Sequence, residues 1–279
     1  MNPKELVDSV INRVEIMLDN KNNISVSDVE KISGYSKRYI QRIFKNITGM
    51  NISTYIKKRK LTQAAILLKL TKKKINHISM DLNFSTQQTF TRAFLREFKV
   101  TPLMYRHEIG FDCSHLFFGY ANKLHIENPV KKTIKPLKLK VNEFNYRDSL
   151  LSRPYFRGNK IRLEEVTSIL SMRKEAVIVT TLRPNSSVNF EIDLVAMIGY
   201  IDVTNYNYVT DEKTYWEIKY NGLWDEYVIF GRLFLFFIDV KIDLLVMEII
   251  RLNGKSEDGQ QLYNVKLCLP IPHNMVDDV

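Results

Sequence analysis

GYSKRYIQRIFKNITG, residues 34–49, places the break Gly34-Tyr35-Ser36 directly before a helical apolar stripe of Ile40, Ile43, Phe44 and Ile47. Ser36 carries the oxygen an N-cap needs, which predicts a helix from Lys37 to Ile47. Upstream, Ser25 and Asp28 form a capping-box variant that opens a short helix with Val26, Val29 and Ile32 inward. Two short helices about a glycine-containing turn make a helix-turn-helix pattern. Before it, Leu6, Val10, Val14 and Met17 share one face of a first helix that ends near Asn20-Lys21-Asn22-Asn23.

The pattern recurs in NFSTQQTFTRAFLREFK, residues 83–99. Ile75 and Ile78 repeat Val26 and Val29 at an offset of 49, and Asn83-Phe84-Ser85 takes the place of Gly34-Tyr35-Ser36. Ser85 and Gln88 read as a Ser-x-x-Gln cap. After one inserted residue the offset is 50: Ile40 matches Phe90, Arg42 matches Arg92, Phe44 matches Phe94 and Tyr55 matches Tyr105. A duplicated helix-turn-helix accounts for turns and stripes together. Between the copies, Asn51 to Thr71 lacks Gly and Pro and carries a stripe of Tyr55, Ile56, Ala64, Ala65 and Leu68. Thr101-Pro102 supplies a cap and a first-turn proline for a last short helix, Leu103 to Glu108.

The charge is concentrated in the same region. The 279 residues carry a net charge of +10, but residues 1–108 hold 20 Lys+Arg against 9 Asp+Glu, and residues 109–279 hold 21 against 22. A +11 block beside a −1 block implies two domains, one of which faces a polyanion. An apolar content of 45% supports buried cores and excludes a fully disordered chain. Cys113 and Cys268 are too few for a disulfide framework. Met1-Asn2-Pro3-Lys4-Glu5 leads into no uninterrupted apolar core, so no secretory signal is expected. Arg232, Asp239, Lys241 and Asp243 break the greasiest stretch, Tyr227 to Met247, so no membrane span is expected, and the predicted location is the cytoplasm, on the nucleoid.

B-DNA presents its major groove again about every 34 Å, and a linker helix of about 21 residues is roughly 30 Å long. One chain can therefore offer two recognition helices to successive major-groove segments, as a monomer and on an asymmetric site. Arg grips guanine, and Gln grips adenine, through paired hydrogen bonds. Arg38, Gln41, Arg42, Gln87, Gln88 and Arg92 are the expected base readers. Lys37, Lys45, Thr89, Thr91 and Arg96 are placed for phosphates, which position without specifying. Lys57-Lys58-Arg59-Lys60 and Lys72-Lys73-Lys74 either touch phosphate near the ends of the linker helix or are a solvated face. Tyr35, Phe44, Phe84, Phe90, Phe94 and Phe98 are expected in the core.

After Gly110 the texture turns β-branched and aromatic. Strands are predicted at Leu137–Asn142, Tyr155–Arg162, Ala176–Leu182, Leu194–Val203, Thr214–Tyr220, Leu244–Leu252 and Asn264–Pro270, with helices at Arg162–Met172 and Leu223–Ile238. Residues 109–135 read as a connecting segment and 136–279 as a second domain.

Gly34-Tyr35-Ser36-Lys37, Gln41-Arg42-Ile43-Phe44-Lys45 and Thr48-Gly49 resemble the first motif of the AraC/XylS family of bacterial transcription activators. Gln87 to Phe94 and Thr101 to Arg106 resemble its second motif. The MarA/SoxS/Rob subgroup, in which the DNA-binding domain comes first, is the nearest pattern, although Arg38 stands where that subgroup typically has tryptophan. Tyr215 to Leu223 and Val265 to Ile271 resemble the Rob C-terminal domain, of GyrI-like type. The resemblance implies an all-α double helix-turn-helix domain over 1–108, then an α+β GyrI-like effector domain. It implies double-stranded promoter DNA and RNA polymerase as partners, and a small amphipathic effector for the second domain. Tyr206, Tyr208, Trp216, Glu217, Tyr220, Trp224 and Glu248 are the candidates for its pocket, while Lys266 stands where the family often carries glutamate.

Enzyme signatures do not form. Asn253-Gly254-Lys255-Ser256 lacks the first glycine of a phosphate loop, five positions before Gly254, with Ile249 in its place. His107, Cys113 and His115 lack a fourth clustered ligand, so no metal or cofactor is expected. The competing functions are a nucleoid-type binder that meets any DNA through charge, and a small-molecule-binding protein with an auxiliary DNA-binding domain.

Overall fold

The computed structural model describes residues 2–19, 24, 26–117, 128–149, 157–184, 191–233 and 241–272. Contacts divide the chain into two units, Met1–His107 with His115–Leu124, and Glu108–Ser114 with His125–Val279.

The first unit is helical: α1 (Pro3–Asp19), α2 (Val26–Ser33), α3 (Lys37–Thr48), α4 (Ile52–Leu70), α5 (Ile75–Asp81), α6 (Gln87–Phe98) and α7 (Pro102–His107). Asn2 and Glu5 cap the start of α1 reciprocally, a box the apolar periodicity does not reveal: the Glu5 amide donates to Asn2 Oδ1 at 2.9 Å and the Asn2 amide to Glu5 Oε2 at 3.0 Å. Ser25 and the side chains of Val26 and Ile32 lie outside the described residues, as do residues 20–23. Ser36 caps α3, accepting from the Tyr39 amide, and Gly49 closes that helix in the left-handed region at φ +76°. In the second copy the corresponding cap is Lys99 at φ +63°, which a Cβ makes costlier. The N-cap of α6 is Thr86, not Ser85: Thr86 Oγ1 accepts from the Thr89 amide at 3.0 Å. Gly34 and Asn83 are both left-handed, at φ +70° and +56°, so the turns align at offset 49 and the extra residue falls after Phe84. The cap therefore follows the offset of 50. At α7, the Met104 amide donates to Thr101 Oγ1 at 3.3 Å.

Sequence periodicity gives α4 one apolar stripe, yet every residue from Arg59 to Leu70 is buried. The reason is position: α3, α5, α6 and α7 all pack on this helix, so it has little free face. Phe44, Phe90 and Phe94 are fully buried and Phe98 nearly so, whereas Tyr35, expected in the core, is 41% exposed and stacks on Tyr39 at 5.2 Å.

The second unit follows as β1 (Phe111–Asp112), β2 (Val130–Ile134), β3 (Lys138–Ser149), α8 (Arg157–Met172), β4 (Ala176–Arg183), β5 (Glu191–Ile201), β6 (Tyr208–Val209), β7 (Lys213–Leu223), α9 (Trp224–Leu233), β8 (Lys241–Ile242), β9 (Leu245–Lys255) and β10 (Gln261–Pro270). Eight of these strands form one antiparallel sheet in the order β2-β7-β10-β9-β4-β5-β3-β6, and β1 pairs with β8. One face carries Leu139, Val141, Val177, Val179, Tyr215, Met247 and Cys268. Gly199 is required where β5 passes β3, because a Cβ there would stand 1.9 Å from the Lys140 carbonyl oxygen. This α+β architecture is the one implied for a GyrI-like domain.

Two sequence expectations are corrected here. Arg157–Arg162 belongs to α8 rather than to a strand, and residues 150–156 lie outside the described set. The helix expected from Arg162 begins about one and a half turns earlier, and Val166, Ile169 and Leu170 anchor it at i, i+3 and i+4. The described part of 109–135 is not purely a connection: Phe111–Asp112 pairs with Lys241–Ile242, and Val130–Ile134 pairs with β7, while 118–127 lie outside the described residues. A polar, lysine-bearing edge strand reads like a linker because its exposed face has the same composition. The helix expected over Leu223–Ile238 is described to Leu233. Among the described residues no helix is long and apolar enough to cross a membrane.

The cap assignment separates two neighbouring hydroxyls. Thr86→Ala is expected to lower the stability of the helical unit by about 1 kcal/mol, with Ser85→Ala close to neutral. Urea unfolding of the two variants measures the difference.

Candidate nucleic-acid interface

The buried sides of α3 and α6 fix what their opposite sides present. With Ile40 and Phe44 inward, Lys37, Arg38, Arg42 and Lys45 are exposed and Gln41 is half-buried. With Phe90, Ala93, Phe94 and Phe98 inward, Gln87, Gln88, Thr89, Arg92 and Arg96 are exposed and Thr91 is half-buried. Ser36 and Thr86 start both helices cleanly, so Lys37 and Gln87 occupy equivalent first-turn positions. Arg42 lies over the Tyr39 ring at 5.6 Å, and Tyr39 stacks on Tyr35. An exposed aromatic pair thus holds one guanidinium without neutralising it. The Thr89 hydroxyl bonds to Thr86 Oγ1 at 2.9 Å, so it also serves the cap.

The remaining cations of the helical unit divide sharply. Arg59 donates to both oxygens of Glu15 at 2.6–3.0 Å and to the Phe117 carbonyl at 2.8 Å. Glu15 also accepts from the Tyr55 hydroxyl at 2.8 Å, and Phe117 packs edge-on against the Tyr55 ring. Lys58 pairs with Glu97 at 2.7 Å and Lys73 with Asp81. Lys69 lies over the Tyr105 ring at 5.3 Å. Arg106 donates to the Leu68 and Lys73 carbonyls at 3.1 and 2.6 Å, satisfying the C-terminal end of α4. Of the two basic runs, only Lys57, Lys72 and Lys74 are exposed. The phosphate-contact expectation for Lys58, Arg59 and Lys73 is corrected accordingly, since these side chains hold the unit together. By contrast, among the described residues Lys37, Arg38, Lys45, Arg92 and Arg96 have no ion pair, and the side chains of Gln41, Gln87 and Gln88 have no hydrogen bond. Unengaged Arg and Gln side chains thus cover the exposed faces of both helices, while Lys57, Lys72 and Lys74 are, among the described residues, unpaired lysines elsewhere in the unit.

A helix-turn-helix domain model matches residues 30–108. The regulatory protein SoxS of Salmonella typhimurium is 41% identical over 109 residues, which is 39% of this chain and 100% of that protein. The chain belongs to the AraC-type helix-turn-helix family. Two further relatives share the region. The transposon Tn10 TetD protein of Escherichia coli is 48% identical over 84 residues, covering 30% of this chain and 61% of that one. The right origin-binding protein of Escherichia coli K12 is 45% identical over 83 residues, covering 30% of this chain and 29% of that one.

In the sheet unit the structure separates the candidate pocket residues. Tyr220, Trp224 and Glu248 come together, while Tyr206, Tyr208, Trp216 and Glu217 lie elsewhere. The Lys138 ammonium lies over Tyr206 at 4.8 Å, and Tyr208 pairs with Leu139. Trp216 carries Lys131 over its ring at 5.3 Å, and the adjacent Glu217 points to the opposite face, 3.4 Å from Lys132. The assembled cluster adds three residues absent from the sequence expectation, Arg162, Tyr227 and Tyr263. Glu248 accepts from Arg162 at 2.5 Å and from the Tyr227 hydroxyl. Trp224 packs against Tyr227 and Tyr263 with ring centroids 5.8 and 5.5 Å away. Burial alone would pull the Arg162 guanidinium down, but Glu248 reverses that and holds it charged. Burial and then Glu248 push the Tyr227 hydroxyl well up, so it stays protonated and donating. Three buried donors here, Asn159 Nδ2, Arg162 Nε and Trp224 Nε1, have no hydrogen-bond partner.

Cys113 and Cys268 are buried free thiols, and no group of three or more metal-binding side chains occurs among the described residues. The division of cations has a direct stability consequence. Arg59→Met is expected to cost about 3 kcal/mol by leaving Glu15 without its guanidinium, whereas Lys57→Ala stays within about 0.5 kcal/mol. Chemical denaturation of both variants distinguishes them.

Proposed function

We propose that this chain is a sequence-specific transcription activator that binds promoter DNA as a monomer. Its two recognition helices enter successive major-groove segments of an asymmetric site. The observation that carries this is the collection of unengaged Arg and Gln side chains on the exposed faces of α3 and α6. A purely electrostatic binder has no use for three free carboxamides among its cations, whereas base-edge recognition needs them. Arg38, Gln41, Arg42, Gln87, Gln88 and Arg92 read bases, while Lys37, Lys45, Thr91 and Arg96, with Thr89 beside the cap, position the backbone. Recruitment of RNA polymerase is the expected output, as the resemblance to the activator subgroup implies.

Arg42→Ala and Gln88→Ala should each weaken binding to the preferred site by about 1–3 kcal/mol and relax preference at one base position. Lys45→Ala should weaken all sequences alike and reduce the salt slope by about 0.9. Selection from a random duplex library, followed by binding titrations in graded salt, reads both effects. Unchanged preference in both base-reading variants would favour the nucleoid-type binder. In vitro transcription from a selected site tests activation.

For the second unit we infer an effector site at Arg162, Trp224, Tyr227 and Glu248. The three unpartnered donors favour a small amphipathic molecule that brings acceptor oxygens, such as a carboxylic acid, rather than a cation. Arg162 already supplies the cation for Glu248. Amphipathic acids should raise the melting temperature of the full chain in a saturable way, and Trp224→Phe should reduce that shift. Stabilisation by cationic compounds instead, or by none, would count against this site.

A further inference from the structure

Among the described residues of the helical unit, Lys60 is the largely buried basic side chain with no compensating group. Lys60 is 9% exposed, and no acid, carbonyl or ring partners its ammonium among the described residues. Every neighbouring buried cation is engaged: Arg59 by Glu15, Lys69 by Tyr105, Lys73 by Asp81. A buried charge without a partner is costly, and here desolvation pulls the Lys60 ammonium below its usual range. The side chain lines a cleft of about 220 Å³. Ile24, Ile56 and Phe84 form apolar walls, and Ser53, Lys57 and Asn83 add polar groups.

The place of this cleft is as telling as its chemistry. Ser53, Ile56, Lys57 and Lys60 follow i, i+3, i+4 and i+7, one face of α4. Ile24 precedes α2 of the first helix-turn-helix, and Asn83-Phe84 is the turn of the second. The cleft is therefore walled by both motifs and by the helix between them. A duplex that reaches α3 and α6 in successive major-groove segments must carry a backbone strand across that interval. Lys57 and Lys60 also lie one turn apart and face the same space, an arrangement of like charges that an anion would relieve.

We propose that this cleft seats one backbone phosphate of the bound duplex, between the two recognition helices. Lys60 is the desolvated cation, Lys57 the cation at the mouth and Ser53 a hydroxyl donor. The seat rests on the DNA-binding function proposed above and extends it. A phosphate held by a partly desolvated ammonium contributes to affinity and register without reading sequence. The group recognised is a phosphate oxyanion, which a nucleic-acid backbone or free inorganic phosphate could supply, and the spacing argument favours the backbone.

The test compares full-length wild type, Lys60→Met and Lys60→Arg on a selected duplex across a range of salt concentrations. Lys60→Met should bind about five- to tenfold more weakly and lose about 0.9 from the log–log salt slope, with its order of preference among sites unchanged. Its melting temperature without DNA should be equal to or above that of wild type, because an uncompensated buried charge has been removed. Lys60→Arg should keep the slope. A lysine that merely supports the fold would instead lower the melting temperature and leave the slope intact, and that result overturns the proposal. Should Lys60→Met fail to fold, neutral methylphosphonates placed singly between the two recognised segments provide the test with wild-type protein. One position should reproduce the affinity loss, and no sensitive position overturns the seat. Millimolar inorganic phosphate that stabilises wild type but not Lys60→Met, with equal salt slopes on DNA, would assign the cleft to a free anion and overturn the backbone assignment. Absence of sequence preference in the wild type bears on the proposed function alone, since the salt slopes can be measured on any duplex.

Discussion

Everything in the helical unit depends on the burial of α4. A helix of 19 residues that is covered along nearly its whole length gives both helix-turn-helix motifs one common support, with α3, α5, α6 and α7 packed on it. The tie between Arg59, Glu15, Tyr55 and the Phe117 carbonyl fastens α1 to the first half, and Arg106 closes the second half on the α4 carbonyls. Such buried, multiply bonded groups tolerate little displacement, because loss of one partner strands another. The two helix-turn-helix motifs are thereby packed on one common helix of about 28 Å.

That rigidity depends on cations drawn from the same basic block that gives the domain its charge. Composition alone suggests that all 20 Lys+Arg of residues 1–108 face a polyanion. The structure sorts them. Some neutralise acids or cap a helix end inside the fold, and others, among the described residues, stay exposed and unpaired, including Lys37, Arg38, Lys45, Arg92 and Arg96 on α3 and α6. The net charge therefore overstates the number of cations left free to face a polyanion.

The duplication was legible because two signals agreed. Apolar stripes repeated at a fixed offset, and turns with left-handed potential preceded each second helix. Where a single polar residue decided the outcome, sequence was less informative. Ser85 and Thr86 are both good caps, and only the position of the inserted residue selects Thr86. Lys58, Arg59 and Lys60 look alike in a row, yet a helical turn sends them to an acid, to a buried network and to a cleft. In the sheet unit the long strands were legible from β-branched runs, whereas the two-residue pairings of β1, β6 and β8 have no local signature. The cluster around Glu248 depends on contacts between α8, α9 and β9 that no spacing in the chain encodes, so Arg162 and Tyr227 were invisible before folding.

The path of the chain after α7 bears on how the protein can be divided. Residues 108–114 belong to the sheet unit, yet 115–117 return to the helical unit, where Phe117 packs on Tyr55 and offers its carbonyl to Arg59. Its amide also donates to Thr62 Oγ1 at 2.8 Å. A cut at residue 108, where the family match stops, would remove an aromatic ring and two backbone hydrogen bonds from the core of the part retained. The domain border in sequence and the border in cohesion are therefore different places.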